Sequence, residues 1–370
     1  MKTFFPLIVT LFFAMVHYLT YTRVVSHLHI RPKTRVFLKT FLILNMIGII
    51  GYLLSRYLFS PPKTLYFLLS LTIGIGFLFF VGTIVYELLH LIQKLIPFDP
   101  QKRTFFKRTS DLAFLGAGSA YLGAAVLEGS KEPTIELVTI DQHRFKNRSY
   151  RIVQISDMHI GGLIDKTFIA RSVEMINALN PDIIAITGDL SDADIEDIKD
   201  SIDQLRYLKS RFGTFYVIGN HEYFHSLEET INHVKTLGIH VLENSSVLIN
   251  NDFYIAGVYD LFGFRSNTYI PDITKAMGSI PPDFPTLLLA HQPKFVEYLE
   301  GFTPSLILSG HTHGGQIWPF RYLVTLAQPY LKGLHALGEN RHIYVNSGIG
   351  FWGPPMRLGS SSEITCITWS

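Results

Sequence analysis

The chain has 370 residues, long for a single unit, with 48% hydrophobic and 17% charged residues. The apolar excess lies before about residue 128, which excludes a uniformly soluble chain and points to a membrane module ahead of a domain of mixed composition. A formal net charge of +2 argues neither for nor against a nucleic-acid surface, and a lone cysteine, Cys366, excludes an intramolecular disulfide and a thiolate metal site.

Residues 4–21, 36–59 and 65–96 are each apolar and long enough to cross a hydrocarbon core of about 30 Å. A cleaved leader would account for the first but not for the other two. Arg23, Arg31, Lys33, Arg35 and Lys39 crowd the first connection, against Arg56 and Lys63 in the second. The first connection is therefore expected in the cytoplasm and the N-terminus outside. A second basic cluster, Lys102, Arg103, Lys107 and Arg108, precedes residues 112–127, a short apolar run that reads as a fourth span or as an interfacial helix. A fourth span puts the following domain outside the cytoplasm; three spans leave it inside. Residues 102–107 resemble a twin-arginine export signal with lysine in the first twin position, which favours the outside. Glu87 and His90, near the cytoplasmic end of the third span, are expected to snorkel to the interface. The expected organisation is an all-α multi-pass membrane module over 1–130, a linker with a first strand over 131–147, and a second domain over 148–370.

From Tyr150 the pattern changes to short β-rich runs. Strands are expected at 151–156, 182–187, 214–218, 253–258, 286–290, 306–309, 342–345 and 363–369, the last containing Cys366. Helices are expected at 168–179, 195–210, 227–237 and 294–299. Alternation of strand and helix, giving way to consecutive strands near the end, predicts a layered α/β domain.

Polar clusters fall just past the strands. Asp157 and His159 follow the first strand, Asp189 the second, Asn220 and His221 the third, His291 a later one, and His311 and His313 the next. In parallel α/β sheets the site lies beyond the carboxyl ends of the strands, so these residues converge on one rim. Asp157, His159, Asp189, Asn220, His291, His311 and His313 offer oxygen and nitrogen with no sulfur, a set suited to Mn, Fe or Zn. Asp189 is the natural bridge between two ions, because Gly188 lets the backbone turn tightly at the strand end. Ions about 3.5–4 Å apart clamp a phosphoryl group and acidify a shared water.

The blocks Asp157-x-His159, Gly188-Asp189, Gly219-Asn220-His221-Glu222, a separate His291 and Gly310-His311-Thr312-His313 resemble, in order and spacing, the motifs of the calcineurin-like metallophosphoesterases. The resemblance covers roughly residues 148–370 and implies a layered α-β-β-α sandwich. It implies that Asp157, His159, Asp189 and His313 hold one divalent ion, and that Asp189, Asn220, His291 and His311 hold the other, with Mn the foremost choice. It further implies that a hydroxide bridging the two ions attacks phosphorus in line while His221 protonates the leaving group. Gly314, Gly315 and Gln316 extend the last block in the manner of the membrane-anchored bacterial branch of the family.

Gln316, His225 and Arg357 are candidate substrate contacts, Arg357 for a second phosphate, and Asp260 could face the cleft. The apolar run 318–334, which carries Arg321 and Lys332, reads as a contact for an acyl chain or a lipid interface, or as packing over a sheet edge. The function expected is metal-dependent hydrolysis of a phosphoester, on a membrane or cell-envelope phosphodiester or pyrophosphate that is lipid-linked. One related membrane-associated branch cleaves a UDP-diacylglucosamine pyrophosphate linkage. The alternatives are a membrane-bound metal-binding receptor or scaffold without turnover, and a nuclease, for which the second domain lacks a basic stripe.

Overall fold

The computed structural model describes residues 4–56, 58, 61–95, 99–142, 145 and 148–370. The expected span ends Phe59 and Ile96, and linker residues 143–144 and 146–147, lie outside the described residues. The chain divides into two units, Met1–Glu128 with Gly353–Met356, and Gly129–Trp352 with Arg357–Ser370.

The first unit contains four long helices among the described residues: α1 (Phe4–Leu19, continued as a π-helix over Thr20–Val25), α2 (Pro32–Ser55), α3 (Lys63–Leu95) and α4 (Pro100–Gly129). Each is long and apolar enough to cross a membrane. Arg31 stands in extended conformation before Pro32, whose fixed φ starts α2. Helices α2 and α3 approach closely where they meet: a Cβ on Gly48 would overlap the Thr72 methyl, and one on Gly51 would touch Leu69. Buried His17 is satisfied at both nitrogens, with Nε2 2.8 Å from Asn45 Oδ1 and Nδ1 2.7 Å from the Phe13 carbonyl. The fourth apolar segment corrects the expectation of a run near the lower length limit. It is the C-terminal part of a 30-residue helix that begins at Pro100 and takes the basic cluster into its first turns.

The second unit is built on two six-stranded sheets. One runs β1 (Thr134–Ile140), β12 (Glu363–Trp369), β2 (Tyr150–Ile155), β3 (Ile183–Thr187), β4 (Thr214–Val217) and β5 (His240–Val241). The other runs β10 (Gly333–Gly338), β11 (Arg341–Val345), β9 (Leu306–Ser309), β8 (Thr286–Leu289), β7 (Phe253–Gly257) and β6 (Ser245–Ile249). Strands β2, β3 and β4 are parallel, as are β7, β8, β9 and β11. Every residue of β3, β4, β8 and β9 is buried, which is why these strands read as continuous apolar runs.

The pleat sorts side chains into layers. Ile152, Ile183, Ala185, Phe215 and Val217 meet Phe253, Ile255, Leu287, Leu289, Leu306 and Leu308 between the sheets. On the outer face of the first sheet, Val153, Ile155, Ile184 and Ile186 pack with Ile169, Val173 and Ile176 of α5 (Lys166–Ala178) and with Ile198 and Ile202 of α6 (Ile195–Ile202). Ile231 and Val234 of α7 (Leu227–Thr236) join the same cluster. Ala256, Leu288, Ile307 and Ile343 cover the outer face of the second sheet with Ile273, Ala276 and Met277 of a short helix, Ile273–Met277. The result is the expected α-β-β-α sandwich.

Two helices come out differently from the expectation. The run 195–210 is α6 followed by a 3₁₀ segment, Asp203–Tyr207; buried Leu205 falls three residues past Ile202, the tighter period. The run 294–299 is a 3₁₀ turn, Pro293–Tyr298.

Candidate metal centre and active site

The seven predicted ligands come together at the carboxyl ends of β2, β3, β4, β8 and β9. Potential ligand atoms of Asp157, His159 and His313 lie within 4.8 Å of one another, as do those of Asp189, His291 and His311, and those of His159, Asp189 and His221. Asn220 joins through Oδ1, 3.2 Å from His291 Nε2. Five of these residues leave their strands in left-handed backbone: Asp157 (φ 52), His159 (φ 50), Asp189 (φ 50), His311 (φ 70) and His313 (φ 50). Non-glycine residues adopt that region rarely and at a cost, and its concentration here marks a site that the surrounding fold over-determines.

Glycines allow the loops to close on one another. Gly188 (φ 87) lies against the His291 ring, and a Cβ on Gly310 would overlap Ser156 and the Asp157 carboxylate. The loops are then pinned by hydrogen bonds. The His311 N–H donates to both Asp157 oxygens at 3.0 and 2.9 Å, and the His221 N–H to Asp189 Oδ1 at 2.8 Å.

Glu222 was legible only as the end of a motif, and the structure gives it a definite task. Fully buried, it accepts the N–H groups of Gly219 (2.6 Å), Leu190 (2.6 Å), Ser191 (3.1 Å) and Asp189 (3.2 Å), tying the loop after β3 to the loop after β4. Burial, then neighbouring Asp189, push its carboxyl up to about 7. Asp192 was missed outright. Its Oδ1 lies 2.6 Å from His221 Nδ1 and 2.9 Å from His159 Nδ1, so one carboxylate orients two imidazoles. The available signal was an acid three residues after Asp189.

These bonds fix tautomers, and the tautomers fit cations. His291 Nδ1 is 2.7 Å from the Thr187 carbonyl, which can only accept, so in the neutral ring Nε2 carries the lone pair. That lone pair faces Asn220 Oδ1 at 3.2 Å and Asp189 Oδ1 at 3.3 Å, three acceptors converging on one point. With His159 Nδ1 donating to Asp192, its Nε2 carries the lone pair in the neutral ring and lies 3.0 Å from His313 Nε2, which is 3.4 Å from Asp157 Oδ1. With the His291 ring neutral, its Nε2, Asn220 Oδ1 and Asp189 Oδ1 are acceptors opposed in a buried space, which a cation between them would satisfy.

Burial opposes charge on His291, yet Asp189, Asp157 and Asp260 hold its ring well above the usual range, so without metal it carries a proton that a bound cation would displace. Burial opposes charge on Asp189, yet His291, His221 and His159 hold its carboxyl well below the usual range. Burial and then His291 push the His311 ring down to about 3, and burial with His159 and Arg357 lowers His313, so both stay neutral and able to bind metal. Burial raises the Asp157 carboxyl.

The outer candidates lie among protein partners. Arg357 is 1% exposed, and its guanidinium donates to the carbonyls of Ser347, Gly348 and Gly350, with Nη2 3.4 Å from His313 Nδ1. This corrects its reading as a phosphate contact: a cation enclosed by carbonyls holds the loops behind His313. Gln316, 6% exposed, clips the backbone of Trp352, donating to its carbonyl (3.0 Å) and accepting its N–H (2.9 Å). His225 stands 3.8 Å from Asp194. Asp260 is buried, and Oδ1 accepts from Gln292 (2.9 Å), the neighbour of His291.

A carboxylate that orients an imidazole beside carboxylate and imidazole ligand clusters fits a metal-dependent phosphoester hydrolase. The family profile described as calcineurin-like phosphoesterase matches residues 150–315, and the chain belongs to that family. An uncharacterized metallophosphoesterase of Helicobacter pylori is 36% identical over 355 residues, 95% of each chain. One of Campylobacter jejuni is 30% identical over 98% of this chain and 97% of its own. A transmembrane protein with metallophosphoesterase domain of Bos taurus is 36% identical over 65% of this chain and 58% of its own. The chain is thus a metallophosphoesterase, an enzyme of metal-dependent phosphoester hydrolysis from a family that uses a dimetal centre, and a membrane protein.

Proposed function

We propose that the enzyme hydrolyses an amphiphilic phosphodiester or pyrophosphate of the membrane or cell envelope, with Mn as the foremost metal. In this reading Asp157, His159, Asp189 and His313 hold one ion, and Asp189, Asn220, His291 and His311 the other. The observation that carries it is that Asp157, His159 and His313 form one cluster and Asp189, His291 and His311 another, with Asp189 Oδ2 3.8 Å from His159 Nε2 and 3.9 Å from His221 Nε2. Two divalent ions bound there would supply charge to the phosphoryl oxygens and acidify a water.

The rest is the chain's own work. Asp192 accepts from His221 Nδ1, which directs Nε2 toward the ligand cluster and stabilises the protonated ring. A proton at Nε2 can then pass to the departing alkoxide, a contribution of about 10²–10⁴ in rate. Glu222 and Arg357 keep the ligand loops in place, so no reorganisation accompanies the reaction.

The membrane unit is read as multi-pass. Basic residues flank the first connection and the start of α4, as four crossings with a cytoplasmic first connection require, and this puts the catalytic domain outside the cytoplasm. Protease shaving of intact cells carrying a C-terminal tag tests it: loss of the tag supports the outside, and protection contradicts it.

The substrate reading is tested by screening the Mn-loaded full chain in detergent micelles against glycerophosphodiesters, nucleoside diphosphate lipids and phosphomonoesters. Preference for lipid-linked diesters or pyrophosphates supports it. Equal turnover of short water-soluble esters overturns the amphiphilic assignment.

A further inference from the structure

The helix after the last metal-binding motif, α10 (Arg321–Ala327 in chain order, after two short helices Phe262–Ser266 and Ile273–Met277), buries none of its residues. Leu326 is 83% exposed, Tyr322 60% and Leu323 51%, with Trp318 just upstream at 46%. Packing over a sheet edge therefore does not describe 321–327, whereas Tyr330, further along the segment, packs against the cluster on the second sheet. Four large side chains bared within nine positions of a catalytic domain are an apolar patch with a use.

The patch is held, not frayed. Upstream, the Trp318 N–H bonds the Leu358 carbonyl at 2.8 Å, and Gly315 (φ 81) packs directly on Arg321. Downstream, buried Gln328 donates to Gln292 Oε1 at 3.2 Å and accepts the Lys294 N–H at 3.0 Å. Helix α10 is therefore fastened at one end two residues past His313 and at the other one residue past His291.

Charge and composition select the occupant. From Thr312 to Gly338 the sequence holds no aspartate or glutamate, while Arg321 and Lys332 flank the exposed leucines. An apolar face with tryptophan and tyrosine, flanked along the chain by cations and not by acids, matches the interfacial zone of an anionic bilayer. A chain that carries membrane-crossing helices keeps such a surface at high effective concentration.

We propose that Trp318, Tyr322, Leu323 and Leu326 form a lipid-contact element that seats the metal-ligand loops on an anionic membrane surface. The element does not depend on which phosphoester is cleaved, and its test does not read activity. The full chain with Cys366→Ala and Leu326→Cys carries an environment-sensitive fluorophore at 326 and is reconstituted in phosphatidylglycerol–phosphatidylethanolamine vesicles. A matched Asp200→Cys label on exposed α6 is the control. The expected result is blue-shifted emission at 326, quenched by doxyl-labelled lipid, with the control quenched only by aqueous iodide. Iodide access at 326 equal to the control overturns the proposal. A blue shift without lipid quenching overturns it too, in favour of a protein partner or a second copy. Unlabelled protein gives an independent reading: brominated phosphatidylglycerol should quench a share of the tryptophan emission that Trp318→Phe removes, and unchanged quenching in that variant contradicts the assignment.

Discussion

Asp192 Oδ1 lies 2.6 Å from His221 Nδ1, and the same oxygen lies 2.9 Å from His159 Nδ1. The residue proposed to protonate the leaving group and a residue proposed to hold metal therefore share one orienting carboxylate. Asp192→Asn keeps an acceptor but removes the charge that favours a protonated His221. It is expected to lower kcat about 10–100-fold, the usual effect of losing such a partner. Steady-state kinetics should show a larger loss for an alkyl than for a p-nitrophenyl leaving group; equal losses would mean that His221 is not the proton donor.

His221→Asn separates acid catalysis from metal binding. Turnover should drop about 10²–10⁴-fold on alkyl esters and much less where the leaving group needs no proton. Metal content by elemental analysis should stay near that of the parent, and loss of a full equivalent would make His221 a ligand.

Glu222→Gln replaces an acceptor of four backbone N–H groups by an amide whose NH₂ must face at least one of them. A buried mismatch of that kind costs about 1–3 kcal/mol. Thermal unfolding should shift down, with metal affinity weakened alongside because the loops bearing Asp189 and Asn220 loosen. An unchanged melting curve would remove Glu222 from the frame of the site.

Gly310→Ala puts a methyl onto Ser156 and the Asp157 carboxylate. Circular dichroism should remain native-like while binding of the ion assigned to Asp157 is lost, as isothermal titration with Mn would show.

Asp260 is buried, and burial pushes its carboxyl up to about 6 from an ordinary 3.8. A raised folded-state value means that stability is full below the unfolded value and falls as pH rises through the folded one. In metal-free protein Asp260→Asn, which keeps the acceptor for Gln292, should gain stability over the parent between about pH 4 and 6 and hold that gain above. Melting temperatures measured across this range check it; a gain that shrinks with rising pH would be the wrong sign.

Most of the sandwich was readable because its central strands are buried on both faces and so are uniformly apolar, as Ile183–Thr187 and Thr286–Leu289 are. The metal-ligand types were readable because each follows such a strand. The short edge strands, His240–Val241 and Gly333–Gly338, were not. The first has two residues, and the second alternates half-buried and exposed positions without a strong apolar period. Arg357 misled because its charge advertises a phosphate, whereas only the folded loops reveal the carbonyls around it. Asp192 was hidden for a related reason: its partner His221 lies 29 residues away, and nothing local announces the pairing.

Asp189 clusters with His291 and His311 and reaches His159 of the other proposed site at 3.8 Å, the position of a bridging carboxylate. The most direct test is metal stoichiometry of the purified full chain and of Asp189→Ala after chelation and reloading with Mn. Two equivalents in the parent, neither retained at that affinity in the variant, and phosphodiester turnover lost with them is the expected result. A variant that still holds both ions, or a fully chelated parent that hydrolyses at its original rate, would contradict it.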